Sequence, residues 1–94
     1  MVAFPTTAKF TLGKVVATPN AIAAIPQDQI IQALRRHQSG DWGAVCPGDW
    51  RANDDALVDG GRILSVHTIM NGLKFWIITE ADRSVTTILL PEDY

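Results

Sequence analysis

Polar chemistry in this chain gathers at three places. The densest is Arg35-Arg36-His37, followed closely by Asp41 and Trp42. Two guanidinium groups, an imidazole and a carboxylate beside an indole suit an anion or a protein partner, with Trp42 as the aromatic anchor. The same residues also suit a helix end, because cations in a last turn match the helix dipole and need no further reason. The second place is His67, which a tight turn at Asn71-Gly72 sets opposite Trp76, with Ser65 and Lys74 nearby. An imidazole there acts as a general base only with a nucleophile and an orienting carboxylate in reach. Ser65 and Glu80 can be drawn into that arrangement, yet no nucleophile elbow or oxyanion loop accompanies them. A cross-strand pair on a partly covered face is the simpler reading. The third place is the charged segment Thr79-Glu80-Ala81-Asp82-Arg83-Ser84, either a solvated hairpin tip with local Asp82 and Ser84 hydrogen bonds or an exposed recognition loop. The candidate binding residues are therefore Trp76, His67, Lys74, Arg35, Arg36, His37, Asp41, Trp42 and Arg83, and no residue takes a catalytic role.

Other chemistries lack their residues. Cys46 is the only cysteine and His37 and His67 the only histidines, so the chain has no disulfide framework, no CxxC and no HExxH. No metal or other cofactor is expected. Cys46, beside Pro47, reads as a small buried or half-buried residue. The formal net charge is −2, whereas a nucleic-acid-binding domain draws most of its affinity from a basic surface. Nucleic acid is thus a disfavoured partner. No apolar run approaches the roughly 18 residues of a membrane span, and MVAFPTTAKF lacks the basic and long apolar regions of a signal peptide. A cytoplasmic protein with no membrane contact is expected. At 94 residues, 47% hydrophobic, the chain can bury one modest core.

These side chains must be positioned by a small set of elements. Residues 1–8 read as a loose N-terminal arm on a single domain. Lys9 to Ala17 alternates as a strand does, with Gly13 marking a bulge or a close backbone approach. Thr18-Pro19 is a helix start, and Pro26 ends that short helix. A second helix from about Pro26 to Gln38 carries Ile30, Ala33, Leu34 and His37 at the spacing of one buried stripe, with Gly40 as its stop. A third runs from Pro47 through Val58 to Gly60-Gly61, with a thin stripe of Trp50, Asn53, Leu57 and Ala56.

The C-terminal third reads as an antiparallel meander. A two-residue type I′ turn at Asn71-Gly72 makes Val66 face Ile77 and Thr68 face Phe75 on the core side. His67 with Trp76 and Ser65 with Ile78 then share the second face. A return at Asp82-Arg83 sets Ile88 beside Ile77 and Leu90 beside Phe75. The expected fold is α+β: a four-stranded, largely antiparallel sheet in the order β-α-α-α-β-β-β, with helices on one face. The core should hold Phe75, Ile77, Val66, Ile88 and Leu90 beneath Ile30 and Leu34. The first strand can pair at either edge.

Three stretches carry a resemblance: TLGKVVATPNA at 11–21, RHQSGDWG at 36–43, and RILSVH with KFWIITEADRSVTTILLPEDY. They resemble small bacterial proteins carried on plasmids and integrative elements, often labelled "plasmid-related protein" and sometimes restriction–modification subunits. The resemblance spans nearly the whole chain and implies a bacterial mobile-element setting, with no established activity or catalytic residues to carry over. A methyltransferase subunit is untenable on size, since 94 residues cannot hold a cofactor-binding doubly wound sheet. The element order also resembles that of RelE/ParE-type toxins, for which Arg83, His67, Lys74 and Tyr94 would be rough stand-ins. The expected function is a non-catalytic protein-interaction module binding a protein partner or a second copy of itself. An RNA-directed toxin-like enzyme is the alternative. The second face, with Trp76 central among His67, Ile78 and Leu89, is the expected contact surface, unless Phe4 and Pro5 of the arm fold across it.

Overall fold

In the computed structural model, which describes residues 8–94, the elements follow from their residues. The expectations for the arm, and for Phe4 and Pro5, lie almost wholly outside that range. Strand β1 is Lys14–Ala17, α1 Pro19–Ala24, α2 Gln27–Gln38, α3 Pro47–Asp59, β2 Ile63–Thr68, β3 Lys74–Thr79 and β4 Val85–Leu89, and a 3-10 turn at Pro91–Asp93 closes the chain. Thr18 caps α1 by accepting the Ala21 N–H at 3.1 Å, and its own hydroxyl donates to Asp93. Gly60 ends α3 in the left-handed region, where glycine pays no Cβ penalty. No helix among the described residues is long and apolar enough to cross a membrane.

The sheet is mixed, in the order β1-β4-β3-β2, which corrects the expectation of a largely antiparallel one. Strand β1 lies parallel to β4, with Val16 beside Thr87 and Ala17 beside Ile88. The intervening helices and strands form the long crossover that parallel neighbours require. The strand is also shorter than Lys9–Ala17. Gly13 takes φ +65°, and a Cβ there would strike the Arg83 and Ser84 carbonyl oxygens. That is the close backbone approach its position in the sequence suggested.

The β2–β3 hairpin differs from expectation by one residue. The loop is Met70-Asn71-Gly72, closed by Gly72 N–H to Ile69 C=O and Ile69 N–H to Leu73 C=O. Only Gly72 has positive φ, so this is a type I turn followed by a left-handed glycine, the usual three-residue hairpin loop. The extra loop residue shifts the register: His67 stands opposite Phe75, Ser65 opposite Ile77 and Val66 opposite Trp76. Because strand side chains alternate, the slip exchanges the two faces of β2. Ser65 and His67 therefore point into the core, and Val66 leaves it. Strand β4 pairs as expected, Ile77 with Ile88.

The main core joins Phe75, Ile77, Ile88, Leu90 and Ile69 to Ala21, Ile25 and Ala33, with Ile30 and Leu34 packed against it. A second cluster of Trp42, Ala56 and Ile63 lies under the β2 end, with Phe10, Val45 and Leu57 around it. Trp50, expected on the α3 stripe, is 36% exposed. Cys46, expected to be at least half-buried, is exposed just before α3.

The edge strand β2 has most of its outward backbone groups satisfied. Val66 N–H donates to Trp42 C=O and Val66 C=O accepts the Ala44 N–H. Asn53 does the same for Leu64, donating 2.7 Å to its C=O and accepting its N–H at 3.2 Å. A loop and one amide side chain thus stand in for a further strand, blunting an edge that would otherwise template pairing.

Candidate functional site

His37 sits on the buried stripe of α2 and is fully buried. Its Nδ1 lies 2.6 Å from Ser65 Oγ and its Nε2 2.8 Å from Thr79 Oγ1. Ser65 Oγ continues to His67 Nε2 at 2.8 Å. On the other side Thr79 Oγ1 meets Thr86 Oγ1 at 2.8 Å, and Thr86 donates 2.7 Å to the Leu12 carbonyl. Six polar groups from α2, three strands and the lead into β1 thus form one buried chain. All of its side chains lie at or below 3% exposure.

Burial is the main influence on both imidazoles. It drives the pKa of His37 from 6.5 down to about 3, with the charges of His67 and Arg83 acting the same way. It drives that of His67 to about 4, aided by Arg36 and opposed by Asp41. Both rings are neutral at physiological pH, since desolvation disfavours the charged form.

The remaining sequence candidates serve the frame around this chain. Arg36 donates to Asp41 from Nε at 2.9 Å and from Nη2 at 3.4 Å, an exposed pair. The Arg36 hydrogen bond is the largest cause holding the Asp41 carboxyl below its ordinary value, with the Gly43 N–H assisting and burial opposing. Asp41 accepts that Gly43 N–H at 3.0 Å, fixing the loop that turns Trp42 inward. Trp42 is fully buried, packs edge-on against His37, and donates from Nε1 to Asp54 at 2.9 Å. Gly43 lies so close to β2 that a Cβ would overlap the Val66 carbonyl oxygen. Arg83, itself at φ +60°, donates to the carbonyls of Gly61, Glu80, Ala81 and Ala56, and its guanidinium lies over Phe10. It staples the α3 end to the β3–β4 turn. Arg35 and Lys74 are exposed.

The outer sheet face holds Trp76 opposite Val66, and the Trp76 ring meets Tyr94 edge-on at 5.5 Å. Arg62 donates 3.0 Å to the Tyr94 hydroxyl and lies 3.5 Å from Glu80. Trp76, Leu64, Val66 and Thr87 are half-buried, while Ile78 and Leu89 are 2% and 5% exposed. Three expectations for this face are corrected. His67 and Ser65 are on the opposite side, Ile78 and Leu89 are not left in water, and the Glu80 carboxylate pairs with Arg62 in place of orienting His67.

Chemically, Ser65 against a neutral imidazole is a nucleophile beside a base, but a fully buried hydroxyl cannot meet a substrate atom. Among the described residues no group of three or more His, Cys, Asp or Glu could hold a metal ion. Sequence reasoning missed Ser65, Thr79 and Thr86 as partners of His37. The available signal was a histidine on a buried helical stripe, which demands hydrogen-bonding partners inside the core. Hydroxyls at alternate positions of β3 and β4 could supply them. Comparison with protein-family models, curated proteins and solved structures finds no significant match.

Proposed function

We propose that the chain is a non-catalytic protein-interaction module of a bacterial mobile-element system, with the outer sheet face around Trp76 as its contact surface. One observation carries this reading: the division of chemistry between the two faces. His37, His67, Trp42 and Arg83 are committed to internal hydrogen bonds. Among the described residues, the three helices pack on the inner face or the β2 edge, leaving Trp76 and the 68% exposed Tyr94 outside. A large aromatic pair with a charged rim is typical of a binding centre. The mobile-element setting rests on the sequence resemblance. The toxin-like alternative asks His67, Lys74, Arg83 and Tyr94 to converge, and they lie on different faces and strand ends.

The occupant this face suits is a second copy of the chain. Its rim mixes Arg62, Lys74 and Glu80, so the surface can meet its own image across a twofold axis. Sedimentation equilibrium is expected to show a concentration-dependent dimer for wild type and a folded monomer for Trp76→Ala. A monomeric wild type at high concentration would refute self-pairing. Expression in a bacterial host is expected to leave growth unchanged, and growth arrest would overturn the module reading itself.

A further inference from the structure

The two edges of the sheet are finished differently. At β2, Asn53, Trp42 and Ala44 take the outward backbone groups of Leu64 and Val66. At β1 the parallel register turns Lys14 and Val16 toward β4, with Lys14 N–H donating to Ser84 C=O and Thr18 N–H to Ile88 C=O. Val15 and Ala17 therefore point their N–H and C=O groups away from the sheet. None of those groups meets another backbone group among the described residues. Val15 is 43% exposed, so the edge is open to solvent. An edge in this state is a template for another strand.

The side chains along it complement themselves. Lys14, Val16 and Thr18 share the outer face, since Val16 stands beside Thr87 and strand side chains alternate. Lys14 is exposed and forms no ion pair among the described residues. Thr18 donates to the Asp93 carboxylate at 2.6 Å, and Asn20 donates to it at 2.7 Å. Those bonds hold the Asp93 carboxyl below its ordinary value, so it is charged at neutral pH. A cation and an anion thus stand on either side of Val16.

We propose that β1 is a second self-contact, pairing antiparallel with β1 of another copy across a twofold axis at Val16. In this register Val15 exchanges both backbone hydrogen bonds with Ala17 of the copy, and Ala17 with Val15 of the copy, so every outward group is satisfied. The two Val16 side chains meet at the axis, and each Lys14 lies beside Thr18 of the copy, within reach of the Asp93 carboxylate there. The contact is short, and two strands alone are marginal in water, so it closes where copies already joined present two edges at once. In that respect it rests on the face pairing around Trp76. Lys74 and Glu80 stand at opposite ends of the outer face of β3, and the twofold that sets them against each other runs across the strands. That axis leaves both β1 edges of a face pair on one side, so two pairs meet edge to edge and close as a tetramer.

The test is sedimentation velocity on the full chain over a range of concentrations, with amide hydrogen exchange read in parallel. Wild type is expected to pass from dimer to tetramer. Exchange at the Val15 and Ala17 amides is expected to slow about tenfold when about nine-tenths of the chains are assembled, since only the open edge exchanges. Lys14→Glu sets a like charge against Asp93, and Val15→Pro removes an outward donor that the fold does not use. Both variants are expected to fold and to stop at the dimer. A wild type that stops at the dimer, or variants that reach the tetramer as it does, would overturn the edge contact and leave the face pairing standing. A Trp76→Ala dimer that the added Val15→Pro abolishes would support the edge contact and sink the face pairing. A wild type that stays monomeric throughout refutes both.

Discussion

Two buried neutral histidines make stability depend on pH between about 6.5 and about 3. Unfolded imidazoles take up protons below about 6.5, whereas the native rings resist until about 4 for His67 and about 3 for His37. Between those values the unfolded state binds more protons than the native state, so stability falls as pH falls. At about pH 5 each ring has lost about 1.5 units of linkage, or about 2 kcal/mol, giving about 4 kcal/mol for the pair. A domain of this size holds roughly 5–15 kcal/mol in all. Asp41, Asp82 and Asp93 have carboxyls held below the ordinary 3.8, so what they contribute is lost only at lower pH. Arg36 acts on the His67 ring and Arg83 on the His37 ring as neighbouring cations. Urea unfolding followed by tryptophan fluorescence at about pH 7.5 and about pH 5 measures the difference. A change below about 1 kcal/mol at constant m-value would refute the burial of two neutral imidazoles.

Two further expectations test the frame around the chain. Gly43→Ala should cost on the order of 3 kcal/mol, because a Cβ at φ +71° overlaps the Val66 carbonyl; an unchanged denaturation midpoint would remove the loop from its place against β2. Asn53→Ala should cost about 1–3 kcal/mol by orphaning the Leu64 N–H and C=O, with faster hydrogen exchange at the Leu64 amide as its local signature.

Local chemistry made the elements legible. Thr18-Pro19, Pro26, Gly40 and Gly60 punctuate the helices where their backbone preferences require, and alternation marked β3 and β4 with the correct faces. The β2 face was not legible. Asn-Gly is compatible with a two-residue I′ turn and with a three-residue loop whose last member is left-handed, and the two differ by one residue in register. The apolar pattern favoured the wrong one, since Leu64 and Val66 look more like core than Ser65 and His67. The parallel place of β1 depends on contacts about 70 residues distant in the chain, such as Lys14 N–H to Ser84 C=O, which local pattern does not encode.

What selects the observed register is the demand of His37. Burying Leu64 and Val66 in place of Ser65 and His67 would gain apolar area, at about 25 cal/mol per Å2. It would also strip His37 Nδ1 of the Ser65 hydroxyl, and a buried unpaired nitrogen costs about 1–3 kcal/mol. The slip would further break both Asn53 bonds to Leu64 and both loop bonds to Val66, because their backbone groups would turn inward toward β3. These losses fall together, since one movement of β2 causes all of them. The polar groups of the core therefore act as a register lock, a role in which a fully satisfied buried network exceeds what its pairwise bonds suggest. The same lock explains why the residues richest in chemistry are hidden. His37, Ser65 and His67 specify which way β2 faces, and among the buried side-chain atoms of the described residues His67 Nδ1 alone has no hydrogen-bond partner.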